Sequence, residues 1–417
     1  MNQFDVIIVG GGAAGMMAAG TAAQNGLRTL LLEKNSRLGR KLRITGKGRC
    51  NIVNNCDVPT AIASIPSNGR FLYSAISQFT PQDAICFFEN LGVPVKTERG
   101  NRVFPQSDLA SDVVDALKGY CTQNGVQIRQ AVATELCIQE QAVTGVRCDD
   151  GTEYFSQHVV IACGGMSYPA TGSTGDGYRL AQQAGHTVTE LRPSLVSLVA
   201  NGKDCPALQG LSLKNVAIHV TDTKQKKEIY DDFGEMMFTH YGVTGPMILS
   251  ASSHMRNMET NRYQISIDLK PALSLEQLDK RLQKDFAENQ NKDFINSLGT
   301  LLPRKLIPIM VAKSGIAPNQ KCNQITKEQR RRFAQELKGF NVMIKGFRPI
   351  DEAIITSGGV SVKEISPKTM ESKLVKGLYF AGEVIDADAY TGGFNLQIAF
   401  STGYLAATAI AQAQWEI

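Results

Sequence analysis

The chain has no C-x-x-C pair, although it holds nine cysteines (Cys50, Cys56, Cys86, Cys121, Cys137, Cys148, Cys163, Cys205 and Cys322). That absence argues against a zinc site or a redox dithiol, and an odd, scattered set gives no disulfide framework. Buried thiols in a reducing compartment are expected instead. Internal repeats and low-complexity tracts are also missing. Charge is absent from Val6 to Leu27, which raises the question of a membrane span or a signal peptide. No Lys or Arg precedes that run, Asp5 does, and six glycines interrupt it, so it fits neither. A cytoplasmic protein with no membrane partner and no bound metal is expected. At 417 residues, 43% hydrophobic and 20% charged, the composition is that of a soluble globular chain of two or three domains.

What fills the uncharged stretch is a pattern. Gly10-Gly11-Gly12-Ala13-Ala14-Gly15 lies between the apolar run Val6-Ile7-Ile8-Val9 and an alanine-rich segment. Strand, glycine turn and helix in that order seat a pyrophosphate: Gly10 permits the turn, Gly12 lets backbone approach the anion, and Gly15 lets the helix pack on the strand. A second strand, Arg28 to Leu32, ends in Glu33, eighteen residues beyond Gly15, where a carboxylate can accept from a ribose 2′-OH. The reading is a Rossmann-like dinucleotide site in an α/β domain.

Further along, helices are expected at Phe71–Phe79, Pro81–Asn90 and Asp108–Asn124, with Gly39 to Asn55 a loop. From Val126 to Ala162 short strands read as a meander feeding a buried strand. That strand runs into Cys163-Gly164-Gly165, and Leu378-Tyr379-Phe380-Ala381 runs into Gly382-Glu383 with Asp386 beyond. Around Leu191 the texture changes to alternating strands, then to helices capped by Ser274 and Thr326. The expected layout is a discontinuous cofactor domain (1–190 and 349–417) with an insertion, barrel-like over 191–270 and 339–348 and helical over 271–338. Three glycine-punctuated strand ends exceed what NAD requires and suit FAD. Asp386 would then lie by the ribityl chain, or alternatively cap a helix, and the last helix would point its positive end at the flavin pyrimidine.

The net charge of +5 hides an asymmetry. Lys34 to Arg49 holds seven basic residues and no acid, and Leu301 to Ile350 holds eleven basic residues against Glu328 and Glu336. The plain account is that the first cluster neutralises a pyrophosphate and that Arg330-Arg331-Arg332 is a solvated helix face. The sharper one is a polyanion surface, with RNA as the candidate, although no RNA-binding fold signature accompanies it.

The runs Gly46-Lys47-Gly48-Arg49-Cys50-Asn51, Phe238 to Pro246, Thr356-Ser357-Gly358-Gly359-Val360 and Gly382-Glu383 through Thr391-Gly392-Gly393-Phe394-Asn395-Leu396-Gln397 resemble the BaiN/RdsA family of FAD-dependent oxidoreductases over nearly the whole length. Lys47 departs from the small residue usual at its motif position. The resemblance implies a two-dinucleotide-binding-domain flavoprotein fold with an inserted β-barrel and helical subdomain. Carried over by motif, flavin contacts fall on Gly10, Gly12, Gly15, Glu33, Lys34, Arg49, Cys50, Ala162, Gly164, Asp386, Asn395 and Leu396, with Ala13 and Ala14 in the turn. Val132 is a weaker candidate, for a backbone contact to adenine.

A disulfide reductase would need two closely spaced cysteines and a second nucleotide fingerprint. Five residues separate Cys50 from Cys56, and no second G-x-G-x-x-G occurs, so NAD(P)H is expected to dock transiently as electron donor. The resemblance points to reduction of an activated C=C bond, in an enone or a ribosomal RNA uracil. It also points to oxidation of a small amine such as aminoacetone, and the basic insertion favours RNA. Candidate proton donors are His240, Tyr241 and Cys50; His240 and Cys50 each have a plain alternative as a packing residue. A non-enzymatic alternative is a flavin-bearing RNA-binding or assembly protein. Oligomeric state is left open.

Overall fold

The apolar run Val6–Val9 becomes the central strand of a five-stranded parallel sheet, and all four of its residues are buried. From one edge the order is Leu378–Phe380, Val159–Ile161, Val6–Val9, Thr29–Glu33 and Gln127–Gln130. The inner strands Val6–Val9, Thr29–Glu33 and Val159–Ile161 are almost wholly buried and need no alternation, so they read as near-continuous apolar runs. The computed structural model describes residues 2–415. Its chain divides into two compact units, one running to Ser194 and resuming at Pro349, the other Leu195–Arg348.

In the first unit the helix Ala13–Gln24 follows the central strand and buries nine of its twelve residues. Small side chains permit this: a Cβ on Gly15 would collide with the Gly10 carbonyl oxygen, and one on Gly403 of the closing helix Phe394–Trp415 with that of Ala14. The helix Ala110–Gln123 buries Ala110, Val113, Val114, Leu117 and Cys121 at helical spacing. Thr80 and Asp83 form a capping box with Pro81 in the first turn.

Two local expectations are corrected. The stretch beginning at Val126 is not part of the meander: Gln127–Gln130 pairs in parallel with Leu30 to Glu33 as the sheet's edge. Only Ala133–Gln139, Ala142–Cys148 and Glu153–Phe155 form the antiparallel sheet. The supposed loop after Gly39 contains the short helix Arg40–Ile44, a 3-10 turn and a two-residue strand, Val53–Asn54, paired with Arg102–Pro105.

In the second unit six strands close a barrel in the order Leu198–Ala200, Gly242–Thr244, Lys227–Phe238, Ser212–Asp222, Tyr263–Asp268, Phe340–Phe347. The helices Leu275–Glu288 and Lys327–Lys338 start in capping boxes built by Ser274 with Gln277 and Thr326 with Gln329. Their buried faces, including Leu278, Leu282, Phe333 and Leu337, share one hydrophobic core with the barrel residues Ile267 and Phe340. Among the described residues no helix is long and apolar enough to cross a membrane, and no cluster of metal-ligating side chains occurs.

Candidate functional site

The glycine turn opens onto a cleft within the first unit. Gly12, Ala13 and Ala14 form its floor together with Gly10. Gly12 caps the Ala13–Gln24 helix without any side-chain cap, so first-turn N–H groups are left for an anion. A Cβ on Gly12 would meet no protein atom within 4 Å; the space over it is open. Gly10 adopts φ +108°, and a Cβ there would lie 2.5 Å from the Ala162 carbonyl oxygen. The two strand ends therefore approach as closely as glycine allows.

Glu33 ends its strand on the cavity wall. Its Oε2 accepts from Gly11 N (2.7 Å), while Oε1 accepts from Asn35 N (2.8 Å) and Asn35 Nδ2 (2.6 Å). These bonds hold the carboxylate in one orientation and leave lone pairs for ligand hydroxyls. Lys34 also lines the wall, but its Nζ is committed to Asp176 (2.5 Å) and Thr174 Oγ1 (2.6 Å). Burial pushes the Asp176 carboxyl up, yet Lys34 and Arg179 outweigh it and hold it below the usual range. Val132, Ala162, Gly164, Asn395 and Leu396 complete the nominated residues on the wall. Asn395 fastens the start of the last helix, accepting from Ala389 N and donating to Ala389 O (both 2.9 Å).

Four nominated residues stand off the wall. Gly15 lies one turn inside the helix, where its role is close packing. Arg49 is gripped by Glu98 and Asp108 (2.5 Å each) and lies over the Phe104 ring at 4.1 Å, so its guanidinium is already neutralised. Cys50 is fully buried with φ +59°. Burial pushes its thiol up to about 12 against a hydrogen bond with Thr45, which keeps the thiol neutral. Asp386 is fixed through its backbone, which accepts from Asn68 Nδ2 (2.6 Å), and burial raises its carboxyl.

The acid that does reach the cavity beside Gly382 is Glu383. Both of its oxygens accept from Lys41 Nζ (2.9 and 2.6 Å), and Oε1 also accepts from Thr356 N (2.9 Å). Lys41 Nζ donates to Ser167 Oγ as well (2.7 Å). Glu383 stood in the quoted motif and Lys41 in the basic run; the available signal was Glu383's position directly after the apolar strand. The Lys41 and Glu383 side chains are 23% and 14% exposed, so the pair is largely desolvated. Lys41→Met is expected to cost about 2 kcal/mol by stranding the carboxylate, read as a lower thermal midpoint and earlier flavin release in a fluorescence melt. Cys163 completes this wall as a neutral thiol, pushed up to about 12 by burial.

His240 and Tyr241 belong to the second unit, in the tight turn between Lys227–Phe238 and Gly242–Thr244, where Gly242 N donates to Thr239 Oγ1 (3.1 Å). His240 is exposed and packs edge-on against the half-buried Tyr241, with ring centroids 4.9 Å apart. The Arg348 guanidinium lies 4.6 Å from the Tyr241 ring centroid. Sequence reading did not nominate Arg348, since no spacing rule connects it to Tyr241.

The family model described as HI0933-like protein Rossmann domain matches residues 4–409. A 3-dehydro-bile acid delta(4,6)-reductase from Clostridium scindens is 31% identical over 416 residues, 99% of this chain and 100% of that protein. A ribosomal RNA dihydrouridine synthase from Escherichia coli K12 is 32% identical over 409 residues, 98% of each. Among solved structures, 3-ketosteroid delta1-dehydrogenase from Sterolibacterium denitrificans superposes with a TM-score of 0.51 at 15% identity, covering 99% of this chain and all of that one; that likeness speaks to fold alone. The family match and both sequence relatives extend over nearly the whole chain, and on that ground the chain belongs to the HI0933-like Rossmann family, whose BaiN/RdsA motifs it carries, and is an FAD-dependent oxidoreductase.

Proposed function

We propose that this protein reduces a C=C bond conjugated to a carbonyl, that its substrate is a uracil in ribosomal RNA, and that NAD(P)H supplies the electrons. The observation that supports this most is the full-length likeness to two relatives named for reductions of that kind, one on a bile acid and one on ribosomal RNA. FAD bound in the cavity supplies hydride transfer.

The chain's own part is binding, orientation and proton delivery. Open space above Gly12 and the uncapped helix start would take the pyrophosphate, and Glu33 the adenosine ribose hydroxyls. Glu383, held by Lys41, would accept from hydroxyls further along the cofactor. His240 and Tyr241 would protonate the carbon beside the substrate carbonyl, with Arg348 holding the tyrosine ring. Cys50, having no exposed surface, packs the loop. A uracil within folded RNA must leave its stack to be reduced.

Anaerobic mixing with NADPH is expected to bleach the flavin absorbance, and added unmodified ribosomal RNA to restore it with formation of dihydrouridine. Peroxide formed from a small amine in air, with no response to NAD(P)H, would contradict the proposal. So would RNA binding by the reduced enzyme that yields no dihydrouridine.

A further inference from the structure

Each of the two basic clusters is only partly neutralised in the fold. In the first, Lys34, Lys41, Arg43 and Arg49 are each paired with a carboxylate, namely Asp176, Glu383, Asp115 and the Glu98/Asp108 pair. The other three, Arg37, Arg40 and Lys47, are exposed and take part in no ion pair among the described residues. In the second, Lys313, Lys321, Lys338 and Arg330 are likewise paired, with Asp204, Asp293, Asp268 and Asp279. Arg304, Lys305, Arg332 and Lys345 form no ion pair among the described residues, and neither do Lys327 and Arg331. The last two are exposed on the Lys327–Lys338 helix.

We infer that this flank of the Lys327–Lys338 helix, centred on Lys327 and Arg331, docks the phosphate backbone of RNA. The inference rests on the RNA substrate proposed above and adds where the polyanion is held. Lys327 and Arg331 stand four residues apart and so share one flank of the helix. Between them Arg330 grips both oxygens of Asp279 on the neighbouring Leu275–Glu288 helix (2.8 and 3.2 Å). That hydrogen bonding, reinforced by the nearby charges of Arg331 and Lys327, holds the Asp279 carboxyl below its usual range. Asp279 thus faces three cations; with Glu328 and Arg332 of the Lys327–Lys338 helix counted, four cations stand against two acids, an excess of about two positive charges of the sign that attracts phosphates.

The mount is rigid. Phe333, Ala334 and Leu337 have no exposed surface, and the Thr326/Gln329 capping box fixes the helix start. A protein interface would want a buried aromatic or aliphatic anchor, and a membrane surface an apolar face. The exposed residues of this helix include no large hydrophobic one. Of the helix's two acids Glu336 lies five residues from Arg331, and Glu328, though three residues before it, forms no ion pair with it among the described residues.

The test is fluorescence anisotropy with deproteinised bacterial ribosomal RNA fragments between 50 and 200 mM salt. It compares wild type with Lys327→Gln/Arg331→Gln and with Lys226→Gln/Lys227→Gln, which removes the same charge from exposed positions on the barrel hairpin. All three should retain their flavin absorbance, which reports folding. The Lys327/Arg331 variant is expected to bind at least about tenfold more weakly at 100 mM salt, with a log–log salt slope shallower by about 1.4, two single-strand phosphate contacts at about 0.7 each. The hairpin variant should match wild type. If the Lys327/Arg331 variant binds as wild type does, or the hairpin variant loses as much, the surface is overturned while the RNA reading stands. If wild type shows no salt-dependent RNA binding, both fall together.

Discussion

Gly12→Ala is expected to yield a folded protein that purifies without its flavin. The residue's backbone, φ −84° and ψ −167°, lies where alanine is allowed, and the added methyl would meet no protein atom within 4 Å. Folding stability should stay within about 0.5 kcal/mol, as for substitutions that touch nothing. The methyl stands instead in the space a pyrophosphate must enter to reach the helix's free N–H groups. FAD affinity is expected to fall about 100-fold, read by equilibrium dialysis and by flavin absorbance per mole of protein. Gly15→Ala makes the contrast. Its Cβ collides with the Gly10 carbonyl oxygen, so the helix must leave the strand, at about 1–3 kcal/mol for overpacking, and the melting midpoint drops along with the cofactor. Gly12→Ala binding FAD as tightly as wild type would show that the open space serves something else.

Tyr241→Phe is expected to lower turnover about 100-fold while the rate of flavin reduction by NAD(P)H is unchanged. Loss of a positioned proton donor slows the step it serves by roughly 10²–10⁴, and reduction of the cofactor needs no donor on the substrate. The phenylalanine keeps the ring on which Arg348 lies at 4.6 Å, so packing in the turn is preserved and the hydroxyl alone is removed. His240→Gln separates the pair: a small effect assigns the proton to Tyr241, and a loss equal to that of Tyr241→Phe assigns it to both. If Tyr241→Phe slowed flavin reduction equally, the residue would be acting on the nucleotide donor.

The N-terminal half of the site was legible because its chemistry is local. A turn that must pass close to an anion and a helix that must lie on a strand both demand glycine within a few residues, and Glu33 sits at the end of its own strand. Elsewhere the deciding contacts are remote. Asp386 and Glu383 follow the same strand. What brings Glu383 into the cavity is Lys41, 342 residues earlier, a separation at which no spacing rule operates. Arg49 read as a cofactor cation because Glu98 and Asp108, which take its charge, lie on later segments. The barrel strand Lys227–Phe238 escaped notice for another reason: its water-facing side carries Glu228, Asp231 and Glu235, so its apolar positions do not stand out as a run. In the same way the mostly exposed edge strand Gln127–Gln130 carries too little hydrophobic signal to reveal its partner.

The most direct measurement is nucleoside mass spectrometry of ribosomal RNA from cells with and without the gene. The account predicts one dihydrouridine present in wild type, absent from the deletion, restored by the wild-type gene and not by the Gly12→Ala variant. Ribosomal RNA with an identical modification profile in both strains would contradict it.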